Sequence, residues 1–507
     1  MIGDRGDKPV RNLITELGGW PVIDDQWSSS GFVLEDMLSK IRGKYEAPYL
    51  FNIGVGADDK NSTANIIQID QATLGMPSRE YYMHRNQAHL QAYVRFMSDV
   101  VRLMGATGPD VTSQLNDLLD FETKLANVSS TLCFFGKSFG VFLIVFFQTT
   151  KADDYCSWSK LVDNNKVFTL HKYHSPVSLA IGRLILAFLP QFDVLRYLRG
   201  FIQDPITEDE PIVVFALQYL KDVVDIVEET EPRTVANYII WRVVQHFVEY
   251  LDESFQEARS LYKQVFQGVK QDLIRWKRCV EIVNENVGMA TGAMFVRDNF
   301  KKQSKDTLNF TGDQFFDNIL SVLEFETRRS LDRLRKEVRK DVWEQEPVVV
   351  NAFYNPNTND IVFPAGILQP SFYSQSYPKS LNYGGIGVVI GHEITHGFDD
   401  KGRQYDKNGN IKLWWDDKTI EAFRKRAQCV IEQYSGFKLE QINEYLFLQI
   451  WCGKTRDEEA LRKSRISVHS PGSIRVLGPL SNSREFSAAY SCPLGSRMNP
   501  EHKCSVW

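Results

Sequence analysis

The sequence predicts a mainly α-helical (α+β) protein, in which a large helical part (1–317) precedes a smaller part (318–507) with a β-hairpin. Between residues 85 and 340, apolar residues recur at helical spacing and Gly and Pro are few. Near residue 348 the pattern changes to β-rich runs around a polar turn. The 507 residues, 43% hydrophobic and 24% charged, have globular composition and suffice for about three domains.

Helical spacing is clearest in two stretches of the first part. Apolar residues recur in one stretch at Leu90, Tyr93, Val94, Phe96 and Met97, and in another at Tyr238, Ile239, Trp241, Val243 and Val244. The apolar run 132–147 is interrupted by Lys137 and is shorter than the ~20 residues of a membrane-spanning helix. We interpret the run as a buried segment. The alternatives are an interfacial segment and translated sequence foreign to the fold.

The second part is predicted to begin near residue 318. A charged segment, 331–342, is predicted to be helical. It is followed by β-rich runs at 348–354 and 361–364, and the Asn/Pro/Asp-rich turn 355–360 separates them. This order predicts a hairpin.

Net charge and processing signals indicate which partners and compartments to expect. With 59 Lys and Arg against 64 Asp and Glu, the net charge is −5, so nucleic acid is not an expected partner. The first seven residues are polar, and no signal peptide is visible. Asn-x-Ser/Thr triplets at Asn61, Asn127 and Asn309, with seven cysteines, are compatible with a glycosylated, oxidising compartment. No Cys-x-x-Cys pair occurs, so a cysteine-built zinc knuckle is not expected.

The segment 392–396, His-Glu-Ile-Thr-His, carries the clearest chemistry. On a helix, His392 and His396 share a face and can bind one zinc ion. Glu393 can then act as general base toward a water that zinc activates, which is metal-assisted peptide hydrolysis. Asp399, three residues beyond His396, can accept an imidazole N–H.

The alternative interpretation of this segment is a core helix with two surface histidines and no metal site. The apolar flanks and Asp399 argue against that interpretation. His171 and His174 have no carboxylate pattern nearby, so we interpret them as solvated loop residues.

Several further segments resemble the neprilysin and endothelin-converting-enzyme family of zinc metalloendopeptidases. The resemblance covers most of the chain in the family's order, including Gly-Ala-Asp-Asp-Lys-Asn at 56–61 in the helical part. In the second part it is carried by segments 350–354, 361–370, 380–387, 391–400, 468–472 and the terminal Lys-Cys-Ser-Val-Trp at 503–507.

The resemblance implies a helical lobe facing a thermolysin-like catalytic lobe, with small peptides as substrates cut in the cavity between them. It implies that His392 and His396 are zinc ligands and that Glu393 is the base. Asn351 and Ala352 would bind the peptide backbone as an added strand.

Two donors near the C-terminus complete the implied site. His469 resembles the histidine that stabilises the oxyanion, and Arg475 resembles the arginine that holds a substrate carbonyl. Without the resemblance, both would be interpreted as surface residues.

The chain departs from the family where the third zinc ligand is expected. Family members supply it from a Glu-Asn-x-x-Asp helix, and no Glu-x-x-x-Asp occurs between residues 397 and 451. That helix would belong near 437–444; the glutamates at 432, 440 and 444 lack matching neighbours, so no third protein ligand is identifiable. We therefore expect one weakly bound zinc and impaired activity. The alternative is a catalytically inactive peptide-binding or interaction protein of the same family.

The resemblance also implies a Cys429–Cys504 disulfide and leaves Cys452 and Cys492 without their family partners. Membrane association, at the plasma membrane as an ectodomain, would depend on an N-terminal anchor that this chain does not show; secretion is the other location that the family implies. We interpret the departures, including the atypical run near 131–150, as truncation, mis-splicing or an imperfect gene model.

Overall fold

The structure is a computed structural model that describes residues 6–83, 88–129, 177–181, 189–269, 274–299, 314–437, 456–467 and 469–506. It is mainly helical, as predicted. Helices of the first part are α1 Lys8–Glu16, α2 Leu34–Tyr45, α3 Ala88–Leu103, α4 Val111–Val128, α5 Val194–Arg199, α6 Leu217–Glu228, α7 Pro232–Phe247, α8 Glu253–Gln267 and α9 Arg275–Asn299, which is kinked at Val287. Later helices are α10 Phe315–Leu331, α11 Lys379–Gly384, α12 Ile386–His396, α13 Asp417–Ser435, α14 Asp457–Ile466, α15 Gly472–Asn482 and α16 Arg484–Ala489.

A four-stranded sheet lies among the helices of the first part. Its strands are β1 Phe51–Asp58, β2 Asn61–Gln71, β3 Val177–Ala180 and β4 Pro211–Val214, in the order β1-β2-β4-β3. Strand β2 pairs antiparallel with β1 and parallel with β4, and β3 pairs antiparallel with β4. Strands β3 and β4 interrupt the region predicted to be helical. Each has four residues and joins a sheet that includes the distant β2, so local periodicity could not indicate them.

Two apolar cores are present among the described residues. The large core joins the first nine helices and the sheet, and it includes Phe316 and Ile319 of α10. The small core consists of Ala352, Ile367 and Ile386. Helix α10 spans residue 318, where the boundary is predicted, and packs with the first part. The division into two domains stays a prediction.

The segment 331–342 is not helical, contrary to the prediction. Helix α10 ends where this segment begins, and Arg335 adopts a positive φ of 61°, which a continuing helix does not allow. The Arg335 guanidinium pairs with the Glu210 carboxylate, and Val338 N–H donates to the Thr63 carbonyl at 2.9 Å. These distant contacts override the local helical periodicity.

The predicted hairpin is present and shorter than the β-rich runs. Strands β5 Phe353–Asn355 and β6 Asp360–Val362 pair antiparallel. Asn359 in the turn has a φ of 56°, a conformation that Asn tolerates better than most residues. Strand β5 contacts helix α12, so the hairpin lies beside the His-Glu-x-x-His segment.

The turn between β1 and β2 connects the first part to the second. Asp59 is 4% exposed, and its Oδ1 accepts hydrogen bonds from Asn357 Nδ2 at 3.1 Å and from Tyr405 Oη at 3.2 Å. The Asp59 carbonyl accepts from Ile411 N–H at 2.6 Å. One buried carboxylate thus ties the sheet to both the hairpin turn and the loop that follows α12.

We expect Asp59→Ala to destabilise the protein by about 1–3 kcal/mol, because the buried Asn357 amide and the half-buried Tyr405 hydroxyl both lose this acceptor. Urea unfolding followed by tryptophan fluorescence would measure the change. Lys60→Ala is the matched control, since Lys60 is exposed on the same turn and its loss should cost under about 0.5 kcal/mol. Equal losses in the two variants would contradict the role given to Asp59.

The apolar run 132–147 and both His171 and His174 lie outside the described residues. Where the structure does describe the chain, none of its helices combines the length and the apolar character needed to cross a membrane.

Candidate metal centre and active site

Helix α12 carries the His-Glu-x-x-His segment and starts at a fixed point. Ile386 N–H donates to the Phe372 carbonyl at 2.9 Å. A Cβ at Gly385 would lie 2.4 Å from the same carbonyl oxygen, so this close approach requires glycine. From this start the helix buries Ile386, Glu393 and His396.

The two imidazoles of α12 face each other. The Nε2 atoms of His392 and His396 lie 3.1 Å apart, and the ring centroids lie 4.6 Å apart. Two nitrogens at ~2.0–2.1 Å from one tetrahedral zinc ion would be separated by about 3.3 Å. The pair therefore fits two positions of a zinc coordination sphere with little movement.

Asp399 orients the second histidine. Its Oδ2 lies 2.8 Å from His396 Nδ1, and its Oδ1 accepts from Lys401 N–H at 2.9 Å and Gly402 N–H at 2.8 Å. A Cβ at Gly402 would lie 1.8 Å from the His396 carbonyl oxygen, so glycine is required for this turn. With Nδ1–H donated to Asp399, the Nε2 lone pair of His396 points toward His392.

Glu393 is 5% exposed, so its carboxyl group is largely shielded from solvent. Burial raises the pKa of the Glu393 carboxyl to about 7, although His396 and Arg475 act in the opposite direction. Burial, followed by the influence of His396 and Arg475, lowers the pKa of His392 to about 3. A neutral imidazole is the form that binds a metal ion.

His469 and Arg475 come from a separate part of the chain and belong to the same electrostatic cluster. Arg475 is on helix α15. Burial, then the charge of Arg475, then His396, lowers the pKa of His469 to about 4. Burial lowers the pKa of Arg475, and Glu393 opposes that shift. The structure thus brings His469 and Arg475, 73 or more residues after His396, into electrostatic range of α12.

Asn351 and Ala352 immediately precede β5. Asn351 is exposed, Ala352 is buried, and the Asn351 side chain accepts from Ala352 N–H at 3.0 Å. The Tyr354 ring of β5 lies nearly parallel to the His396 ring, with centroids 6.5 Å apart and an interplanar angle of 22°. Sequence reasoning missed Tyr354 as a neighbour of the metal centre, although it lies in the segment 350–354 that carries the family resemblance.

No third ligand is found among the described residues. Within them, no carboxylate or thiol joins His392 and His396 in a group of three ligand atoms within 4.8 Å of one another. Glu432 lines a different cleft, together with Cys429. Glu440 and Glu444 lie outside the described residues. His392 and His396 therefore fit two positions of a zinc coordination sphere. The described residues supply no third protein ligand.

The Cys429–Cys504 disulfide is confirmed, with Cα atoms 5.6 Å apart. Cys279 and Cys492 are unpaired. The remaining cysteines, Cys133, Cys156 and Cys452, lie outside the described residues.

Sequence comparison finds related proteins over almost the whole chain. Profiles of peptidase family M13 match residues 2–341, and then 351–446 and 439–506. Endothelin-converting enzyme 1 from Rattus norvegicus is 32% identical over 612 aligned residues, covering 99% of this chain and 75% of the relative. The Homo sapiens enzyme is also 32% identical, covering 99% of this chain and 74% of the relative.

Solved structures share the fold. Zinc metalloprotease Zmp1 from Mycobacterium tuberculosis, solved with an inhibitor, superimposes with a TM-score of 0.78 at 23% identity, covering 97% of this chain and 84% of Zmp1. PepO from Lactobacillus rhamnosis superimposes with a TM-score of 0.69 at 18% identity, covering 97% of this chain and 85% of PepO. Together with the profile matches and the paired histidines, these relatives show that the chain belongs to peptidase family M13, the neprilysin and endothelin-converting-enzyme family of zinc metalloendopeptidases.

Proposed function

We propose that this chain hydrolyses small peptides at the centre formed by His392, His396 and Glu393, and that it binds its zinc weakly. The observation that carries the proposal is the convergence of the two Nε2 atoms, 3.1 Å apart, with the buried Glu393 between them in the sequence. A zinc ion held by the two imidazoles would increase the acidity of water and polarise the scissile carbonyl. The remaining steps belong to residues of the chain.

Glu393 would take the proton of the attacking water and pass it to the leaving amine. His469, neutral at physiological pH, keeps one N–H that can donate to the oxyanion of the tetrahedral intermediate. Arg475 would donate to a substrate carbonyl through its planar guanidinium.

The substrate backbone would add as a strand beside Asn351 and Ala352. Within the described residues β5 pairs with β6, and the exposed Asn351 lies at its start. Main-chain hydrogen bonds from such an edge recognise an extended peptide with little regard to its side chains. We therefore propose short peptides in extended conformation as the substrate class.

Weak zinc binding follows from the missing ligand. The M13 profile matches the C-terminal part in two pieces that overlap at 439–446, near the place where family members carry the third-ligand helix. The alignment with the relatives is also longer than this chain, 612 residues against 507, so the relatives contain segments that this chain does not. Both observations support an incomplete coordination sphere.

The same observations favour a second candidate, a catalytically inactive peptide-binding or interaction protein. Such a protein would keep the hairpin and Arg475 while its metal centre stays empty.

Zinc content and peptide hydrolysis separate the two candidates. We expect the purified chain, incubated with excess zinc, to cleave a quenched fluorescent peptide slowly, to lose activity on chelation and to regain it on zinc addition. Elemental analysis after desalting should give well under one zinc per chain. Absence of chelator-sensitive hydrolysis at saturating zinc, with the peptide still bound, would support the inactive binding protein instead.

A further inference from the structure

A second group of metal-binding side chains lies at the C-terminal end of the chain. The ligand atoms of Cys429, His502 and Cys504 lie within 4.8 Å of one another. They line a cleft of about 360 Å³ together with Glu432 and Lys425. None of these residues belongs to the centre formed by His392 and His396.

The oxidised form of this group cannot bind a metal ion through its sulfurs, since the two cysteines form a disulfide. His502 Nε2 lies 3.4 Å from Cys429 Sγ, so the imidazole already faces the sulfur pair. Two thiolates and an imidazole bound to one tetrahedral zinc ion, at ~2.3 Å and ~2.0 Å, would lie about 3.5–3.8 Å apart. The three ligand atoms, within 4.8 Å of one another, therefore already lie close to the spacing that one zinc ion requires.

The backbone around both cysteines is held by contacts that do not involve the disulfide. Asn482 accepts from Cys504 N–H at 2.9 Å and donates through Nδ2 to Gln433 Oε1 at 2.7 Å. Gln433 is one helical turn beyond Cys429 on α13. Lys503 Nζ donates to the Ser481 carbonyl at 2.6 Å. Reduction would therefore leave the two thiols close together, and a metal ion would meet a largely formed site.

We propose that Cys429, Cys504 and His502 form a zinc site when the disulfide is reduced. A dithiol reductant transfers two electrons and two protons to the disulfide, giving two cysteine thiols and a cyclic disulfide of the reductant. Each thiol then releases its proton to solvent as its sulfur binds Zn²⁺, and neutral His502 binds through nitrogen. The fourth position is taken by water or by Glu432, which shares the α13 face of Cys429 at a spacing of three residues.

In this proposal a zinc ion replaces the disulfide as the link between Cys429 and Cys504. In the oxidised chain the disulfide ties the C-terminal segment to α13, and in the reduced chain the zinc ion ties the same two residues. This inference does not depend on the proposed peptidase activity, because it uses neither His392 nor Glu393.

Cobalt binding to the full chain tests the proposal, because a thiolate bound to Co²⁺ gives a charge-transfer band in the near ultraviolet. Among the described residues no cysteine joins His392 and His396, so the α12 centre is not expected to contribute to this band. We expect the chain, after reduction and anaerobic desalting, to bind Co²⁺ with the band, and the oxidised chain to show none. Zinc should displace the cobalt and abolish the band.

Three variants identify the ligands. Cys504→Ser should abolish the band in the reduced chain, and His502→Ala, which keeps both cysteines, should weaken cobalt binding by at least ~10-fold. Cys492→Ser is the matched control, since Cys492 is unpaired and does not line the cleft, and it should leave the band unchanged. The proposal is overturned if the reduced chain shows no band, if His502→Ala binds cobalt as the parent does, or if Cys492→Ser alone removes the band.

Discussion

Glu393→Gln is expected to lower the rate of peptide hydrolysis at saturating zinc by about 10²- to 10⁴-fold, the range that a positioned general base contributes. Glutamine fills the same buried space and accepts hydrogen bonds, but it cannot take the proton of the attacking water. The Glu393 side chain is 5% exposed and follows His392 directly. Glu393 is the only residue of α12 that carries a carboxylate. The measurement is kcat/KM with a quenched fluorescent peptide.

The variant must keep its metal for this result to be informative. Glu393 is not expected to be a zinc ligand, so zinc affinity measured by competition with a chromogenic chelator should stay within a few fold of the parent. Glu421→Gln, on the exposed surface of α13, is the matched control and should retain full activity. Hydrolysis that persists in Glu393→Gln would show that the activity arises elsewhere, in a contaminant or at another site.

The parts of the site that the sequence predicted are those set by local geometry. His392 and His396 are four residues apart on one helix, so their convergence follows from helical periodicity alone. The β5–β6 hairpin is likewise set by the turn between its strands. Local pattern was sufficient for both because the contacting residues are near neighbours in the chain.

The parts that the sequence could not predict depend on contacts between distant segments. Helix α10 ends at Leu331, although the residues that follow favour a helix. The chain there adopts a positive φ at Arg335, whose side chain pairs with the distant Glu210. The buried Asp59, which joins the β1–β2 turn to Tyr405, carries no local pattern that marks it as an interface residue. Residues His469 and Arg475 were identified by family resemblance, since only the fold brings them to α12.

Restoring the third zinc ligand should raise zinc affinity strongly. Structural zinc sites with four protein ligands bind with about 10–16 kcal/mol, or about 2.5–4 kcal/mol per ligand, so one added carboxylate should raise zinc affinity by about 10²- to 10³-fold. The graft would replace residues 437–444 with a helical segment that carries the family's Glu-Asn-x-x-Asp motif. Chelator competition would measure the affinity, and kcat/KM at limiting zinc should rise in parallel.

The matched control for this graft carries glutamine in place of the ligand glutamate. Both grafts add the same helix beside α12, where Val388 and Ile394 are exposed, so any gain from covering apolar surface is common to the two. A gain in zinc affinity confined to the glutamate graft would assign the weak binding to the missing ligand. Equal affinities in the two grafts, or one tightly bound zinc in the parent chain, would mean that the two histidines already have a third protein partner outside the described residues.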